Sequence, residues 1–276
     1  MADHADDGAA REFSLLLGII RELRRRCPWD REQTIASLGR HLVEEAYEAL
    51  DAIERDSTPA IVDELGDVIA QARAIGAIAE EGARFTIAQV MRAAADKLVR
   101  RHPHVYADAQ AGTPSEVVAN WERIKQAERA AAGAKSALDG VARSLPAAAR
   151  AEKLGARARE AGMDWRDIHE VLAKVREEMD EVEGALAADD LAGAAAEIGD
   201  MMLALANAPR FIGHRAEETL RRSCDKFTAR FGRVERIAAA RGLDLRTLPP
   251  EQLDALWNEA KRAETADPPP SGSGLV

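Results

Sequence analysis

The chain has 276 residues, with 38 Lys and Arg against 48 Asp and Glu, so its formal net charge is −10. This length corresponds to about two domains, and the acidic balance argues against a surface built to bind nucleic-acid phosphates or an anionic membrane. The two cysteines, Cys27 and Cys224, lie outside any disulfide or zinc spacing and predict a reduced, cytoplasmic protein. Aromatic residues make up only 4% of the chain and strand-type alternation is nearly absent, which favours an all-α fold.

Apolar residues at spacings of three and four predict a series of helices along the chain. The first is expected from Phe13 to Leu23, and its apolar stretch is far shorter than the ~20 residues of a membrane span. Thr58 is predicted to cap the third helix, Gly82 to end it and Thr86 to cap the fourth. The predicted helices are 13–23, 35–54, 59–81, 87–101 and one opening at Thr113-Pro114-Ser115, followed by 147–161, 168–186, 191–208, 216–241 and 250–264.

The composition changes at two places and predicts the domain organisation. An alanine- and glycine-rich stretch at 130–146 predicts a linker between two helical halves, 1–129 and 147–264. Residues 265–276 contain three consecutive prolines and a Ser-Gly repeat. Such a composition buries no core, so we expect these residues to form a disordered tail.

An internal repeat relates the two halves. The acidic residues Glu45, Glu48, Glu64 and Asp67 recur 133 residues later as Glu178, Glu181, Glu197 and Asp200. The pair Lys97 and Arg101 matches Lys226 and Arg230, and the pair Trp121 and Lys125 matches Trp257 and Lys261, at slightly different offsets. Four acids kept in one register indicate a duplicated unit with loops of differing length.

The repeated acids are predicted to border the contact between two helices in each half. At 100° per residue, Glu45 and Glu48 lie one turn apart beside an apolar stripe, and Glu64 and Asp67 take the same relative place on the next helix. The predicted stripes are Leu42, Ala46, Ala49 and Ile53 facing Ile61, Leu65, Val68 and Ala72, and then Val175, Met179, Val182 and Leu186 facing Ala194, Ile198, Met201 and Leu205. Antiparallel packing through a short turn would bring four carboxylates to one edge of each contact.

Four converging carboxylates repel one another, so a hard divalent cation is the expected neutraliser. Oxygen ligands without a thiolate favour Mg²⁺, with Mn²⁺ as an alternative, over zinc. A single pair of glutamates is most simply a solvated helix face, whereas repetition of all four acids favours a functional site. Lys226 and Arg230, four residues apart, suit phosphate oxygens beside such a metal, and ion pairing with the same glutamates is the other interpretation.

Several sequence blocks resemble those of MazG-family nucleoside triphosphate pyrophosphohydrolases, and they occur in the family's order. The resemblance covers about residues 13 to 262. The blocks that carry it are Cys27-Pro28-Trp29-Asp30 with Gln33-Thr34, the paired Glu-Glu-x-x-Glu and Glu-x-Gly-Asp segments, Lys97 to Val105, Ser136 to Val141, Asp164-Trp165 and Leu256 to Lys261. So many ordered blocks make the match far more specific than one acidic pair.

The resemblance implies paired helical repeats, usually completed into four-helix-bundle-like units by a homodimer. It also implies Mg²⁺-dependent hydrolysis of nucleoside triphosphates to the monophosphate and pyrophosphate, with the second repeat as the catalytic one. By position, the implied metal ligands are Glu178, Glu181, Glu197 and Asp200, with Glu177 beside them. The implied substrate residues are Lys226 and Arg230 for phosphates, Asn207 for the nucleoside, and Trp257 with Lys261 to close the site.

The first repeat keeps its acids but departs from the family elsewhere. Ala74 stands where the second repeat has Asn207, and polar Gln71 and Arg73 replace part of a more apolar run. The sequence therefore predicts a second metal site at Glu45, Glu48, Glu64 and Asp67, and it leaves open whether the first repeat is active.

The expected chemistry is in-line attack of water on the α-phosphorus, with Lys226 and Arg230 stabilising the leaving pyrophosphate. Glu177 and Glu178 are both candidates for the general base, and spacing does not choose between them. The alternatives are a metal-dependent hydrolase of narrower range, such as one for a guanosine polyphosphate or a deoxyuridine nucleotide, and a non-catalytic helical scaffold. The expected partners are nucleoside triphosphates and a second copy of the chain, without nucleic acid or membrane.

Overall fold

The computed structural model describes residues 3–266, with side chains described for 8–263, and within these residues all regular secondary structure is helical. The predicted all-α fold is therefore confirmed. The α-helices of the described chain are α1 (Asp3–Arg26), α2 (Pro28–Glu32), α3 (Ile35–Glu54), α4 (Thr58–Glu81), α5 (Ile87–Arg101), α6 (Pro103–Tyr106), α7 (Pro114–Ala131), α8 (Ala147–Glu160), α9 (Ile168–Ala187), α10 (Leu191–Leu205), α11 (Ala216–Ala240) and α12 (Pro250–Ala266).

The chain separates into two compact units between Gln126 and Ala127. Each unit is built on a helical hairpin, α3–α4 in the first and α9–α10 in the second, and these two pairs make the most extensive helix contacts. In the first unit α4 also packs on α1 and α5. In the second unit α8 contacts α10 and α11, and α11 packs on α12. The apolar core of this last pair contains Val234, Ala238, Leu256 and Ala260.

The proposed halves, 1–129 and 147–264, remain a prediction. The expected linker, 130–146, begins in the last two residues of α7 and continues as turns and irregular backbone up to α8. Of the predicted tail, 265–276, the first two residues belong to α12, and residues 267–276 lie outside the described residues. No helix within residues 3–266 combines the length and apolarity that crossing a bilayer requires.

Side-chain caps explain where several helices start. The Thr34 and Thr86 hydroxyls accept hydrogen bonds from the backbone N–H groups three residues on, in reciprocal capping boxes with Ser37 and Gln89. The predicted cap at Thr86 is thus confirmed. The predicted cap at Thr58 is wrong, because Ser57 occupies the N-cap position and Thr58 already begins α4. The proline that follows has no N–H to satisfy, which suits the first turn.

Several helix boundaries differ from the prediction. The helix α1 extends beyond 13–23 at both ends, and the short helices α2 and α6 begin at Pro28 and Pro103, where we expected only a helix end. The helix α10 stops at Leu205 rather than at 208 and is followed by a 3₁₀ turn at Pro209–Ile212. Pro209 has no N–H to donate to a carbonyl four residues earlier, so the regular ladder cannot continue through it.

The face that packs inside each hairpin coincides only in part with the predicted stripe, since Ala49 and Ala194 of the stripes are buried but other stripe residues are exposed. On α9 the buried residues are Val171 and Glu178, whereas Met179 is 48% exposed and Leu186 is 53% exposed. The first repeat shows the same shift, with Ala52 fully buried and its neighbour, Ile53 of the predicted stripe, 40% exposed. Both faces are apolar, so helical periodicity alone does not identify the one that packs inside the hairpin. As a consequence, Glu178 lies within the helix contact and not at its flank.

Candidate metal centre

The second repeat brings its four acids together between α9 and α10. One carboxylate oxygen from each of Glu178, Glu197 and Asp200 lies within 4.8 Å of the others. Glu178 also forms carboxyl–carboxylate hydrogen bonds with Glu197 and Glu181. Glu178 is only 3% exposed, because its position on α9 faces the partner helix. The repeated acids are therefore a spatial cluster as well as a sequence pattern.

The pKa values of two acids in this cluster are shifted in opposite directions. Burial, a hydrogen bond to Glu178 and neighbouring carboxylate charges raise the pKa of Glu197. The pKa of Glu178 is lowered, chiefly because Lys174 donates a hydrogen bond to it. The Lys174 Nζ lies 2.6 Å from Glu178 Oε1 and 2.8 Å from Glu177 Oε1. These two contacts raise the pKa of Lys174, so the ammonium is a resident counter-charge of the cluster.

Lys174 was missed in the sequence analysis, although a signal was present. It precedes Glu178 by four residues and Glu177 by three, which are the spacings that bring side chains together on a helix. Because Lys174 has no lysine counterpart 133 residues earlier, where His41 stands, a search for repeated residues passes over it.

The first repeat forms a similar cluster between α3 and α4. One oxygen from each of Glu45, Glu48 and Glu64 lies within 4.8 Å of the others. Burial raises the pKa of Glu45, as does the charge of nearby Asp67. Burial and the Glu48 charge likewise raise the pKa of Glu64. Gln71 Nε2 contributes a long hydrogen bond of 3.5 Å to Glu45 Oε1.

Both clusters fit a divalent cation in the nature and spacing of their donors. The donors are carboxylate oxygens on two adjacent helices, a set that Mg²⁺ and Mn²⁺ accept and that is poorly matched to softer metals. Burial raises the pKa values of Glu45, Glu64 and Glu197, and the charges of neighbouring carboxylates raise them further. A divalent cation relieves this repulsion directly.

The predicted phosphate and closing residues lie on α11 and α12. The Arg230 guanidinium carbon is 5.0 Å from the ring centroid of Trp257, within the range of a cation–π contact. The Phe227 ring centroid is 5.3 Å from that of Trp257. Lys226 and Lys261 are both exposed. Arg230 therefore contacts Trp257. The helix α8 packs on both α11, which carries Arg230, and α10, which carries two of the acids.

An apolar cavity of about 630 Å³ opens between α8, α10 and α11. Its lining includes Gly199 on α10, Ala206 directly after that helix, and Thr219 and Ser223 on α11. Gly199 directly precedes Asp200 of the acid cluster. On α11, helical spacing places Lys226 and Arg230 on the same face as Thr219 and Ser223, one and two turns further along. The cavity therefore adjoins both groups of predicted site residues.

Asn207 lies beside this cavity but is only 1% exposed. Its Nδ2 donates a 2.9 Å hydrogen bond to the Leu203 carbonyl, and its Oδ1 has no hydrogen-bond partner among the described residues. Oδ1 occupies the space that a side chain at Gly155 would fill, at 1.8 Å from an added Cβ. Asn207 is therefore packed against α8 in this conformation, and its role towards a nucleoside stays a prediction.

The geometry defines a class of protein, an all-α chain with two helical hairpins that each cluster carboxylates suited to a divalent metal. Comparison with known proteins narrows this class. The family model for the MazG nucleotide pyrophosphohydrolase domain matches residues 33–106, which contain the acids of the first repeat. The nucleoside triphosphate pyrophosphohydrolase of Escherichia coli strain K12 is 44% identical over 258 residues, covering 92% of this chain and 98% of the relative.

Two Thermotoga maritima proteins are also similar. The nucleoside triphosphate pyrophosphohydrolase/pyrophosphatase MazG is 36% identical over 253 residues, covering 90% of this chain and 95% of the relative. The crystal structure of a mazG-related protein aligns with 41% of this chain and 98% of its own, at 25% identity and a TM-score of 0.37. The two curated relatives match this chain along most of its length. The chain belongs to the MazG family.

Proposed function

We propose that this protein hydrolyses nucleoside triphosphates to the monophosphate and pyrophosphate at the acid cluster of its second repeat. The observation that carries this proposal is the convergence of Glu178, Glu197 and Asp200, with Glu178 almost fully buried, next to a cavity of about 630 Å³. A cavity of that size is typical of a small-molecule site. The names of the full-length relatives supply the substrate class.

We propose Mg²⁺ as the physiological metal, with Mn²⁺ able to replace it. Glu178, Glu181, Glu197 and Asp200 would hold it, since their oxygens already lie together without one. When bound, Mg²⁺ supplies neutralisation of triphosphate charge and a lower pKa for the attacking water.

The residues around the cluster would bind and orient the substrate. Lys226 and Arg230 would take the phosphates that become pyrophosphate, because cations stabilise the charge that develops on a leaving group. Trp257 holds the Arg230 guanidinium in place through its ring, and Lys261, one turn further on α12, would help it close the site. Asn207 would meet the nucleoside after a shift of its packing against α8.

Glu177 is our candidate for the proton acceptor. Its side chain is 58% exposed, pairs with Lys174 and lies outside the cluster of Glu178, Glu197 and Asp200. Glu178 is instead buried and engaged by Lys174 and by two other acids. A general base needs an oxygen that is not taken up by the metal, and for that reason we favour the exposed Glu177 over Glu178.

We propose that the first repeat does not hydrolyse nucleotides. Arg73 stands where the second repeat has Ala206 of the cavity lining, and the Arg73 side chain is fully buried. A guanidinium at that position fills space that the second repeat leaves open. Glu45, Glu48, Glu64 and Asp67 remain able to bind a divalent ion, so we assign this repeat metal binding without turnover.

We further propose a cytoplasmic homodimer that binds neither nucleic acid nor membrane. Exposed apolar side chains on the outer faces of both hairpins support dimerisation, among them Leu65 and Ile198, which are 45% and 38% exposed and lie 133 residues apart. Burying such faces stabilises an assembly. Ile198→Glu should halve the mass measured by light scattering at micromolar concentration, whereas Asp180→Lys on the same hairpin should leave it unchanged. An unchanged mass for Ile198→Glu would contradict an interface on this face.

Product analysis tests the proposed activity. With Mg²⁺ and a panel of triphosphates, chromatography should show monophosphate and pyrophosphate, and Glu178→Gln or Asp200→Asn should abolish turnover while circular dichroism stays unchanged. Turnover of only one nucleotide would identify an enzyme of narrower range. Release of orthophosphate would identify another reaction, and neither hydrolysis nor a Mg²⁺-dependent thermal shift would identify a scaffold.

A further inference from the structure

The cation that already occupies the second-repeat cluster is the Lys174 ammonium. It reaches Glu178 across one helical turn and lies 2.6 Å from Oε1, while it also contacts Glu177 at 2.8 Å. The two glutamates differ greatly, since the Glu178 side chain is 4% exposed and the Glu177 side chain is 58% exposed. Lys174 therefore bridges a buried acid of the metal-binding set and a solvated acid outside that set.

A divalent ion and the ammonium compete for the same buried carboxylate. Glu178 contributes an oxygen to the cluster with Glu197 and Asp200, and that oxygen set has room for few cations because the acids are held on packed helices. Two cations on one carboxylate also repel each other, and this repulsion is strong where water is excluded. Ion binding at the cluster thus works against the Lys174–Glu178 contact but not against the contact with exposed Glu177.

We infer that Lys174 is a positioning residue that occupies Glu178 while the cluster is metal-free and moves onto Glu177 alone when a divalent ion binds. The inference rests on the proposed metal site of the second repeat. In this account the ammonium, 2.6 Å from Glu178 Oε1, keeps that side chain oriented between α9 and α10. The Lys174 ammonium then stays paired with Glu177, within one helical turn of the cluster, when the ion binds.

The first repeat lacks this device. His41 stands at the place of Lys174, and its Nδ1 lies 2.8 Å from the exposed Glu44, the counterpart of Glu177. The counterpart of Glu178, Glu45, is only half-buried and is hydrogen-bonded instead by the uncharged Gln71. A lysine exchange of this kind is therefore expected in the second repeat and not in the first.

Mn²⁺ binding to the full chain tests the exchange without catalysis. All proteins carry Glu64→Gln to weaken the first cluster, and free Mn²⁺ is measured by electron paramagnetic resonance without nucleotide. Removing the competing cation in Lys174→Met should tighten Mn²⁺ binding about tenfold, the scale of one charge-assisted hydrogen bond. Lys174→Arg keeps the charge, so its affinity for Mn²⁺ should stay within about twofold of that of the parent. Lys153→Met, which removes an exposed lysine from α8, should bind as the parent does.

Amine labelling of the parent protein gives a second readout that needs no variant. Reductive methylation followed by mass spectrometry should label Lys174 faster with Mg²⁺ than with chelator, whereas Lys153 should not respond. Mn²⁺ affinity of Lys174→Met equal to or weaker than that of the parent, or Lys174 labelling indifferent to Mg²⁺, would overturn the exchange. If the parent hydrolyses triphosphates and binds Mn²⁺, such a result rejects only this inference, whereas absence of both hydrolysis and Mn²⁺ binding rejects the proposed function as well.

Discussion

The two repeats hold the same four acids in the same register, and their surroundings differ. In the second repeat Lys174 compensates Glu178, and small residues such as Ala206 line an apolar cavity. In the first repeat Gln71 contacts Glu45, and the buried Arg73 stands at the place of Ala206. Both sets of carboxylates thus keep the capacity to bind a cation, while the neighbouring side chains determine whether there is space for a substrate.

The largest effect should come from replacing the buried Glu178, compared with the same change at its half-buried counterpart Glu45. Glu178→Gln keeps the shape of the side chain and removes a charge of the metal-binding set, so we expect kcat/KM for a nucleoside triphosphate to fall about 10³-fold or more. Glu45→Gln, the matched change, should lower it less than about threefold. Initial rates with Mg²⁺ measure both. Loss of activity in Glu45→Gln with full activity in Glu178→Gln would move the active site to the first repeat.

A smaller loss is expected from the cations. Lys226→Ala removes a predicted phosphate contact, and we expect kcat/KM to drop about 10²-fold, because stabilisation of the leaving pyrophosphate is lost. Lys97→Ala is the control, since Lys97 is the counterpart of Lys226 on α5, and this change should leave kcat/KM nearly unchanged. Steady-state kinetics measures both variants. Equal losses for both variants would show that the repeats cooperate in one site, contrary to our assignment.

Buried Arg73 offers a stability test of the divergence between the repeats. Its Nε and Nη1 are buried without a hydrogen-bond partner among the described residues, and its one ion pair, to Glu80, is long at 3.4 Å. Glu80 keeps a hydrogen bond from the Ile87 N–H and a contact with Arg21. Arg73→Met should therefore raise the free energy of unfolding by about 1 kcal/mol, since unpaired buried donors are costly.

Urea unfolding measures this change, and Arg73→Ala is the matched variant. The alanine leaves a void in place of the long side chain and should destabilise the protein. If Arg73→Met destabilised it as much as Arg73→Ala does, the guanidinium would be a structural requirement of the first repeat and not merely a space-filling replacement.

The smallest expected effect concerns pH. The pKa of Glu197 is raised in the folded protein above its ordinary value of 4.5. The folded state therefore binds more protons than the unfolded state between these two values, and the contribution of Glu197 to stability increases as the pH falls through its folded pKa. With chelator present, lowering the pH from neutral towards 4.5 should change Tm more favourably in the parent than in Glu197→Gln, because the other acids titrate alike in the two proteins.

Glu183→Gln, which removes an exposed acid from α9, is the control for the pH experiment, and its Tm should respond to pH as the Tm of the parent does. Saturating Mg²⁺ should remove the contribution of Glu197 to this response, because a bound cation favours the ionised carboxylate. A Tm difference that Glu197→Gln leaves unchanged would show that the pH dependence originates elsewhere in the chain.

Much of the fold followed from periodicity and helix signals, and the errors have physical reasons. The hairpins, the turn at Gly82 and the cap at Thr86 were predicted because local chemistry determines them. The packing face of each hairpin was predicted only in part, with Ala49 and Ala194 buried but Ile53 and Met179 exposed, because the outer faces are also apolar. The convergence of the acids was foreseen from their repetition, whereas the burial of Glu178 was not. Lys174 and the cavity escaped prediction, since a non-repeated residue and the space between three helices leave no periodic trace.

Hydrolysis of a triphosphate in ¹⁸O-enriched water reports which phosphorus atom the water attacks. With Mg²⁺, mass spectrometry of the products should find one ¹⁸O atom in the nucleoside monophosphate and none in the pyrophosphate. That result requires attack at the α-phosphorus, as the proposed arrangement of acids and cations predicts. Label in pyrophosphate, or label in released orthophosphate, would contradict the account.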